Sequence, residues 1–333
     1  MLRKLKYILV FFVATLISSC FEDDERVLPY PGEVITIYEN IEYFQSYFDL
    51  ETGEVLKSHA TDAWNLGFEC GVEGWHILTN SGAGWFIWNS QQTDIDGEIS
   101  YPENDLWAYD NQSAYPDSTA IGNWISYLGE NKIYSNHVYI LGKYSLEGYS
   151  DTKRIQFFEV NSLAYRFLYK ENGSIDTVTI HKNDTSNFVY YSFDSKTQIN
   201  LEPSKSHYDL VFGPYYDLAT QFGLTIPYLV RGVLLNTTNT FAILDSINSY
   251  DAIDYGMLKA YQFSYQRNSI GYQWKGVTVN TISGYAVYYV KPHYIYVIST
   301  SDNNYYKLRF LSFSLDGNSG YPRFEYKELR DVY

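Results

Sequence analysis

The stretch DAWNLGF, Asp62 to Phe68, returns as SHYDLVF, Ser206 to Phe212. A chain that writes one phrase twice must fold into something that two like halves can share. The match extends upstream, where Val34 to Phe68 aligns with Val178 to Phe212, with Leu66 against Leu210 and Phe68 against Phe212. Within it, YFDLETGEV at Tyr47 to Val55 answers SFDSKTQIN at Ser192 to Asn200. Downstream it continues across insertions of the kind loops tolerate. ILTNSG, Ile77 to Gly82, answers VLLNTT, Val233 to Thr238, so Asn80 pairs with Asn236. His137 in SNHVYIL answers His293 in KPHYIYV, KRIQFFEV (Lys153 to Val160) answers YKLRFLSF (Tyr306 to Phe313), and YRFLYKE (Tyr165 to Glu171) answers PRFEYKE (Pro322 to Glu328). Matches kept in order along the chain define two tandem copies, residues 33–176 and 177–333, joined at KENGSIDT, Lys170 to Thr177. Each copy is large enough to bury a core of its own, and one continuous core shared by both is equally compatible with the sequence.

Both copies read as sheet. The chain carries 36 Tyr, 19 Phe and 7 Trp, residues that suit a pleated, half-buried surface. No long amphipathic helical pattern is visible. IYVIST at Ile295 to Thr300, then SDNN, then YYKLRFLSF at Tyr305 to Phe313 predicts a hairpin, with Tyr306, Leu308 and Phe310 on one face and Lys307 and Arg309 on the other. The expected class is all-β, two tandem antiparallel units.

The first residues predict an address rather than a fold. Arg3, Lys4 and Lys6 precede the apolar run Tyr7 to Ile17 and then LISSC, Leu16 to Cys20. That order is a secretory signal over residues 1–19 ending in a lipobox, which leaves a lipidated Cys20 at the head of the mature chain. The stretch is too short for a spanning helix, so the expectation is a protein anchored to outer-membrane lipid through Cys20. FEDDER, Phe21 to Arg26, opens an acidic tether over residues 20–32 and resembles the export signal of lipoproteins displayed on the outer face of the cell. The net charge of -15 argues against nucleic acid as a partner. Cys70 is the one cysteine left after Cys20 and reads as a lone buried thiol.

Several of these segments together resemble the HmuY family of haem-binding surface lipoproteins. In the first copy the resemblance rests on YFQSYFDLETGEV followed by TDAWNLGFECGVEGWHILTNSG. In the second it rests on HYDLVF, GYQWKG at Gly271 to Gly276, IYVISTSDNNYYKLRFLSFS and the closing RFEYKEL. It covers most of residues 33–333, and the duplication departs from single-unit members. The resemblance implies iron acquisition, with haem held by two axial side chains, histidine or methionine. One ligand is expected just after an aromatic strand late in the unit, where GNWISYLGE (Gly122 to Glu130) and GYQWKGVTV (Gly271 to Val279) contain neither residue. For the other, Met257 in DYGMLKAY is the nearest candidate in the second copy, and the first copy offers none.

The six histidines, His59, His76, His137, His181, His207 and His293, show no metal-ligand spacing. His76 has the most suitable surroundings, because Trp75 and Ile77 flank it and an apolar flank can pack a porphyrin while imidazole takes the iron. No nucleophile elbow or activated cysteine pattern is present, and SGAGWF at Ser81 to Phe86 lacks the helix of a phosphate cradle, so a binding protein is expected rather than an enzyme. Aromatic planes also stack on sugars. Trp75, Trp85, Trp88, Trp107 and Trp124 fall in the first copy against Trp274 in the second, which marks the first copy, with Trp75, His76, Trp85 and Trp88, as the expected ligand-bearing half. Three readings stay open: haem capture by resemblance, an aromatic-lined glycan-binding module, and a partner-binding accessory of a TonB-dependent outer-membrane transporter.

Overall fold

Twenty-two strands run through the computed structural model, which describes residues 32–331 apart from 103–105, 113–114, 117, 146, 222–223, 280–285 and 302. Cys20, the signal segment and most of the tether lie outside the described residues. The first copy contributes β1 (Glu33–Thr36), β2 (Phe44–Asp49), β3 (Glu54–Ala60), β4 (Leu66–Glu69), β5 (Ile77–Thr79), β6 (Trp85–Asn89), β7 (Ile125–Leu128), β8 (Asn131–Tyr134), β9 (Val138–Ser145), β10 (Gly148–Val160) and β11 (Ala164–Glu171). The second contributes β12 (Ser174–His181), β13 (Phe188–Ser192), β14 (Thr197–Ile199), β15 (Leu210–Gln221), β16 (Leu224–Leu235), β17 (Phe241–Asp245), β18 (Lys275–Val279), β19 (Ala286–Val290), β20 (Ile295–Ser299), β21 (Tyr305–Leu315) and β22 (Asn318–Leu329). Each strand of the first copy has a counterpart in the second, in the same order. The all-β, tandem expectation therefore holds strand for strand.

The sheets, however, are not partitioned by copy. One sandwich pairs the sheet β12-β11-β10-β9-β6 with the sheet β14-β13-β4-β5; the other pairs β1-β22-β21-β20-β17 with β16-β15-β2-β3. In repeat terms, each sandwich takes its first three strands from the other copy. Sandwich one is the contiguous run β4 to β14. Sandwich two is assembled from both ends of the described chain, β15 to β22 closed by β1 to β3. The boundary at 176/177 falls inside β12 and marks the period of the sequence.

The local cause lies in KENGSIDT. Asn172 and Gly173 both adopt positive φ, 50° and 83°, and Glu171 pairs with Ser174 across them. This is the two-residue turn whose twist matches antiparallel strands. It folds the first strand of copy two back onto the last strand of copy one. The corresponding edge of β22 takes β1, with Glu33 against Tyr326 and Thr36 against Arg323.

Two cores result. Leu66, Phe68, Trp124, Tyr139, Phe157, Phe167, Val189 and Tyr191 fill sandwich one, while Phe48, Leu210, Phe212, Trp274, Tyr296, Phe310 and Phe324 fill sandwich two. Their centres repeat. Phe68 stacks on Phe167 at 5.6 Å and 12°, and Phe212 stacks on Phe324 at 5.5 Å and 14°. Against each stack the exchanged strand presents an aromatic edge, Tyr191 on Phe167 at 5.5 Å and Phe48 on Phe324 at 5.3 Å. Phe48 thus answers Tyr191 rather than the Phe193 of the sequence match. The shift of two residues keeps the side chain on the same face of the strand.

Asn80 and Asn236 keep their pairing in role. Asn80 Nδ2 donates to the carbonyls of Thr61 and Trp64, both at 2.7 Å, and Asn236 Nδ2 donates to those of Lys205 and Tyr208, both at 2.7 Å. Each fastens the chain just before β4 or β15, where it leaves one sandwich for the other. Asn236→Ala is expected to cost about 1–3 kcal/mol, since it strands buried carbonyls. Urea unfolding checks this, and an unchanged midpoint would remove the fastening role.

The predicted hairpin of β20 and β21 forms, with Tyr306, Leu308 and Phe310 in the core. Its polar face is not solvent. Lys307 is buried and its ammonium donates to the carbonyls of Tyr250 and Ile253 at 2.6 and 2.9 Å, because the short helical turns Tyr250–Ala252 and Tyr255–Ala260 cover that side of the sheet.

Candidate functional site

The loop between β4 and β5, residues 70–76, is drawn tight by its glycines. A Cβ at Gly74 would collide with the carbonyls of Cys70 and Glu69, and the Lys182 ammonium is tied to the carbonyls of Gly71 and Gly74. The fold of the loop brings Glu69 under His76. Glu69 Oε2 accepts from His76 Nδ1 at 2.6 Å and from the backbone N–H groups of Trp75 and His76, both at 3.1 Å. Burial alone would raise the Glu69 carboxyl, but the His76 ring and these two N–H groups outweigh it and hold it below its ordinary range. Trp75 stacks on the imidazole at 4.0 Å, and its carbonyl accepts from Trp124 Nε1 at 3.1 Å.

The other sequence candidates lie apart from this pair. Trp85 and Trp88 leave opposite faces of β6: Trp85 enters the core of sandwich one, and Trp88 packs with Phe86, Trp107, Val138 and Ile140 outside it. Alternation along a strand prevents the two from lining one site. Met257 packs on Tyr250, Ile253, Ile295 and Val297 in the cover of sandwich two. The tryptophan excess of the first copy has a packing origin. Trp124 matches Trp274 as a buried core residue, while Trp88 and Trp107 cover a sheet face that Tyr250 and Ile253 cover in the second copy. Among the remaining histidines, His137 Nδ1 meets Asn89 Nδ2 at 3.2 Å and the half-buried His59 Nδ1 meets the Ala60 carbonyl at 2.9 Å. Cys70 is a buried free thiol, as expected, and burial pushes its pKa up.

A cleft of about 350 Å³ opens between the sandwiches. Sandwich one supplies Glu69, Cys70, Tyr115, Pro116, Ser186, Asn187 and Phe188; sandwich two, with the turn leading into it, supplies Lys205, Thr237, Thr238, Tyr265 and Arg267. Its origin is a broken symmetry. By repeat alignment Cys70 and Thr238, which both line the cleft, correspond to Pro214 and Gly82, which touch. On the Gly82 side the turn Ser81–Ala83 packs so closely that a Cβ at Gly82 would strike the Pro214 carbonyl. Thr238, in place of that glycine, cannot approach so closely, and the equivalent side of the joint stays open. The sequence signal was present in NSG against NTT, but it carries meaning only once the two turns are known to face the opposite sandwich.

Polar side chains rivet the cleft floor. Asn187 Nδ2 donates to Tyr208 Oη and Asn236 Oδ1, both at 2.8 Å, and Thr238 Oγ1 donates to Asn187 Oδ1. Glu202, fully buried, accepts from Tyr190 Oη at 2.7 Å and from the N–H groups of Asn187 and Phe188 at 2.8 and 3.2 Å, yet burial still raises its pKa. Deeper in the joint, Asp110 accepts from Thr79 N at 2.7 Å and Ala120 N at 2.8 Å. Burial outweighs those bonds and the Arg267 charge and lifts Asp110 to about 7 from 3.8.

A raised carboxyl stabilises the fold fully below its unfolded pKa and loses that contribution as pH climbs to its folded value. Stability should therefore fall between about pH 4 and about pH 7, by up to about 1.4 kcal/mol per pH unit. Asp110→Asn should flatten the slope in urea titrations across that window. An unaltered slope would assign the dependence to other groups.

Comparison with known proteins follows the period of the sequence. A family model described as HmuY protein matches residues 43–153 and 184–326, one segment in each copy. Solved structures similar to the chain include the apo HmuY analogue of Tannerella forsythia, 10% identical over 90% of this chain and 97% of that one, with a TM-score of 0.23. Apo PinO from Porphyromonas gingivitis is 10% identical over 91% and 100%, with a TM-score of 0.25. A HmuY-like heme-binding candidate from Bacteroides vulgatus is 12% identical over 52% and 90%, with a TM-score of 0.17. Superpositions at such scores bear no weight, whereas the family model spans most of the chain. No curated protein matches it.

Proposed function

Because the chain belongs to the HmuY family, we propose that it is a surface lipoprotein, anchored through Cys20, that captures a ligand in the cleft between its two sandwiches. One observation supports this most directly: the joint between two like sandwiches narrows at Gly82 to a cavity of about 40 Å³ and opens at Thr238 to one of about 350 Å³, with both copies lining the opening. A cleft of about 350 Å³ lies in the range that small-ligand pockets occupy. The capture is a binding function with no catalytic step, and a TonB-dependent transporter would carry the ligand onward.

Haem is the ligand suggested by the name of the Bacteroides vulgatus protein. The residues of this cleft do not fit an iron held by two axial side chains. Its lining contains no histidine and no methionine, and no cluster of metal-ligating side chains occurs among the described residues. Burial raises the pKa of the Cys70 thiol and of the Tyr115 phenol, which disfavours the thiolate and phenolate forms that ligate iron. His76 stands behind the wall with Nδ1 on Glu69. Any porphyrin taken here is held by its faces and its charges.

Absorbance titration with haemin and metal-free protoporphyrin tests this directly. The expected result is no axial-ligand Soret shift with haemin, similar affinity for both porphyrins if either binds, and loss of that binding in Thr237→Trp, which fills the cleft from an exposed position. A saturable Soret shift abolished by His76→Ala would instead place haem on His76 and overturn the reading.

A further inference from the structure

We propose that the cleft is built for an aromatic carboxylate, with the anion taken by Arg267 and Lys205 and the ring laid between Tyr115 and Tyr265. The proposal deepens the capture reading and rests on it. Both cations line the cleft from the side of sandwich two. In a chain of net charge -15, carboxylates are in excess, yet neither cation forms an ion pair among the described residues.

Arg267 shows this most clearly. Its Nη1 donates to the neutral Gln112 Oε1 at 2.9 Å, and its Nε is buried without a partner. The carboxylates around it are engaged elsewhere: Glu202 by Tyr190 and two backbone N–H groups, Asp110 by Thr79 and Ala120. A partly buried guanidinium whose neighbouring carboxylates are both raised by burial and held by other donors gains from an added anion. Its planar fork matches a carboxylate, and Lys205 adds a second positive charge. Glu69 carries negative charge on the opposite wall, tied to His76, and directs an anion away from that end.

The aromatic part of the assignment comes from the tyrosines. The Tyr115 ring lies 5.7 Å from the Arg267 guanidinium. Tyr265 also lines the cleft and is 79% exposed, an unusual outlay of aromatic surface unless a flat partner covers it.

Fluorescence titration of the full-length chain in detergent with naphthoate, naphthamide and inorganic phosphate tests the proposal. Naphthoate should bind saturably, naphthamide and phosphate at least tenfold more weakly. Arg267→Gln and Lys205→Gln should each raise the naphthoate Kd about tenfold, and Arg267→Lys should recover part of the loss. Equal binding of naphthoate and its amide, or unchanged affinity in both charge variants, overturns the anion assignment. Phosphate binding as tight as naphthoate overturns the aromatic one. Thr237→Trp separates the two levels. If it abolishes naphthoate binding that the charge variants leave intact, the cleft stands and the anion subsite falls; if it leaves naphthoate binding untouched, both fall.

Discussion

A fragment spanning residues 61–202 should fold alone and unfold in one cooperative step, while a fragment cut at the period of the sequence, residues 33–176, should not. The longer-range pairings dictate this. All strands of sandwich one, β4 to β14, lie inside 61–202, and so do Leu66, Phe68, Phe167, Val189 and Tyr191 of its core. The 33–176 fragment loses β13 and β14. Val189, which faces Phe68 across β4, and Tyr191, which faces Leu66, go with them. It also keeps β1 to β3, whose partners β22 and β15 are absent. Three strands without their sheet leave apolar faces open and edges unpaired. Near-ultraviolet circular dichroism and urea titration of the two fragments decide the matter. A cooperative transition in 33–176 equal to that in 61–202 would show that the exchange is not needed for folding.

Trp274→Ala should destabilise sandwich two by about 3–5 kcal/mol, as large truncations in a packed core do. Trp274 is fully buried, stacks on Phe310 at 3.7 Å, meets Phe313 edge-on at 5.7 Å and donates from Nε1 to the Gly271 carbonyl at 3.1 Å. It also roofs a buried lysine. Lys275 holds its ammonium 4.4 Å from the indole and donates it to the Arg231 carbonyl, and burial lowers its pKa to about 7. Removing the indole admits water beside that amine as well as leaving a cavity. Because Trp124 holds the corresponding place in a separate core, hydrogen exchange in Trp274→Ala should accelerate in β15 to β22 and β1 to β3 and much less in β4 to β14. Uniform acceleration would mean that the two cores unfold as one.

The candidate site was less legible than the fold. His76 with Trp75 is legible because an imidazole between apolar neighbours is a local pattern, and the structure brings those two together over Glu69. Trp85, Trp88 and Met257 could not be joined to them from the sequence, since proximity along the chain says nothing about which face of a strand or which cover loop a side chain occupies. Arg267, Lys205, Tyr115 and Thr238 carry no motif. They converge only where two sandwiches meet, and a joint has no sequence of its own.

The sequence by itself determined the two copies, the strand order within each, the faces that turn inward and the paired asparagines, because side-chain alternation and turn chemistry act over a few residues. Tertiary structure decided which copy completes which sandwich. Its trigger was nevertheless written in the chain as Asn172-Gly173, a turn so short that β12 must fold back on β11, after which β1 completes the opposite sheet. The cleft depends on still less, a glycine on one side of the joint and a threonine on the other. Close packing tolerates the first and not the second, and only the folded chain brings either turn against a neighbour.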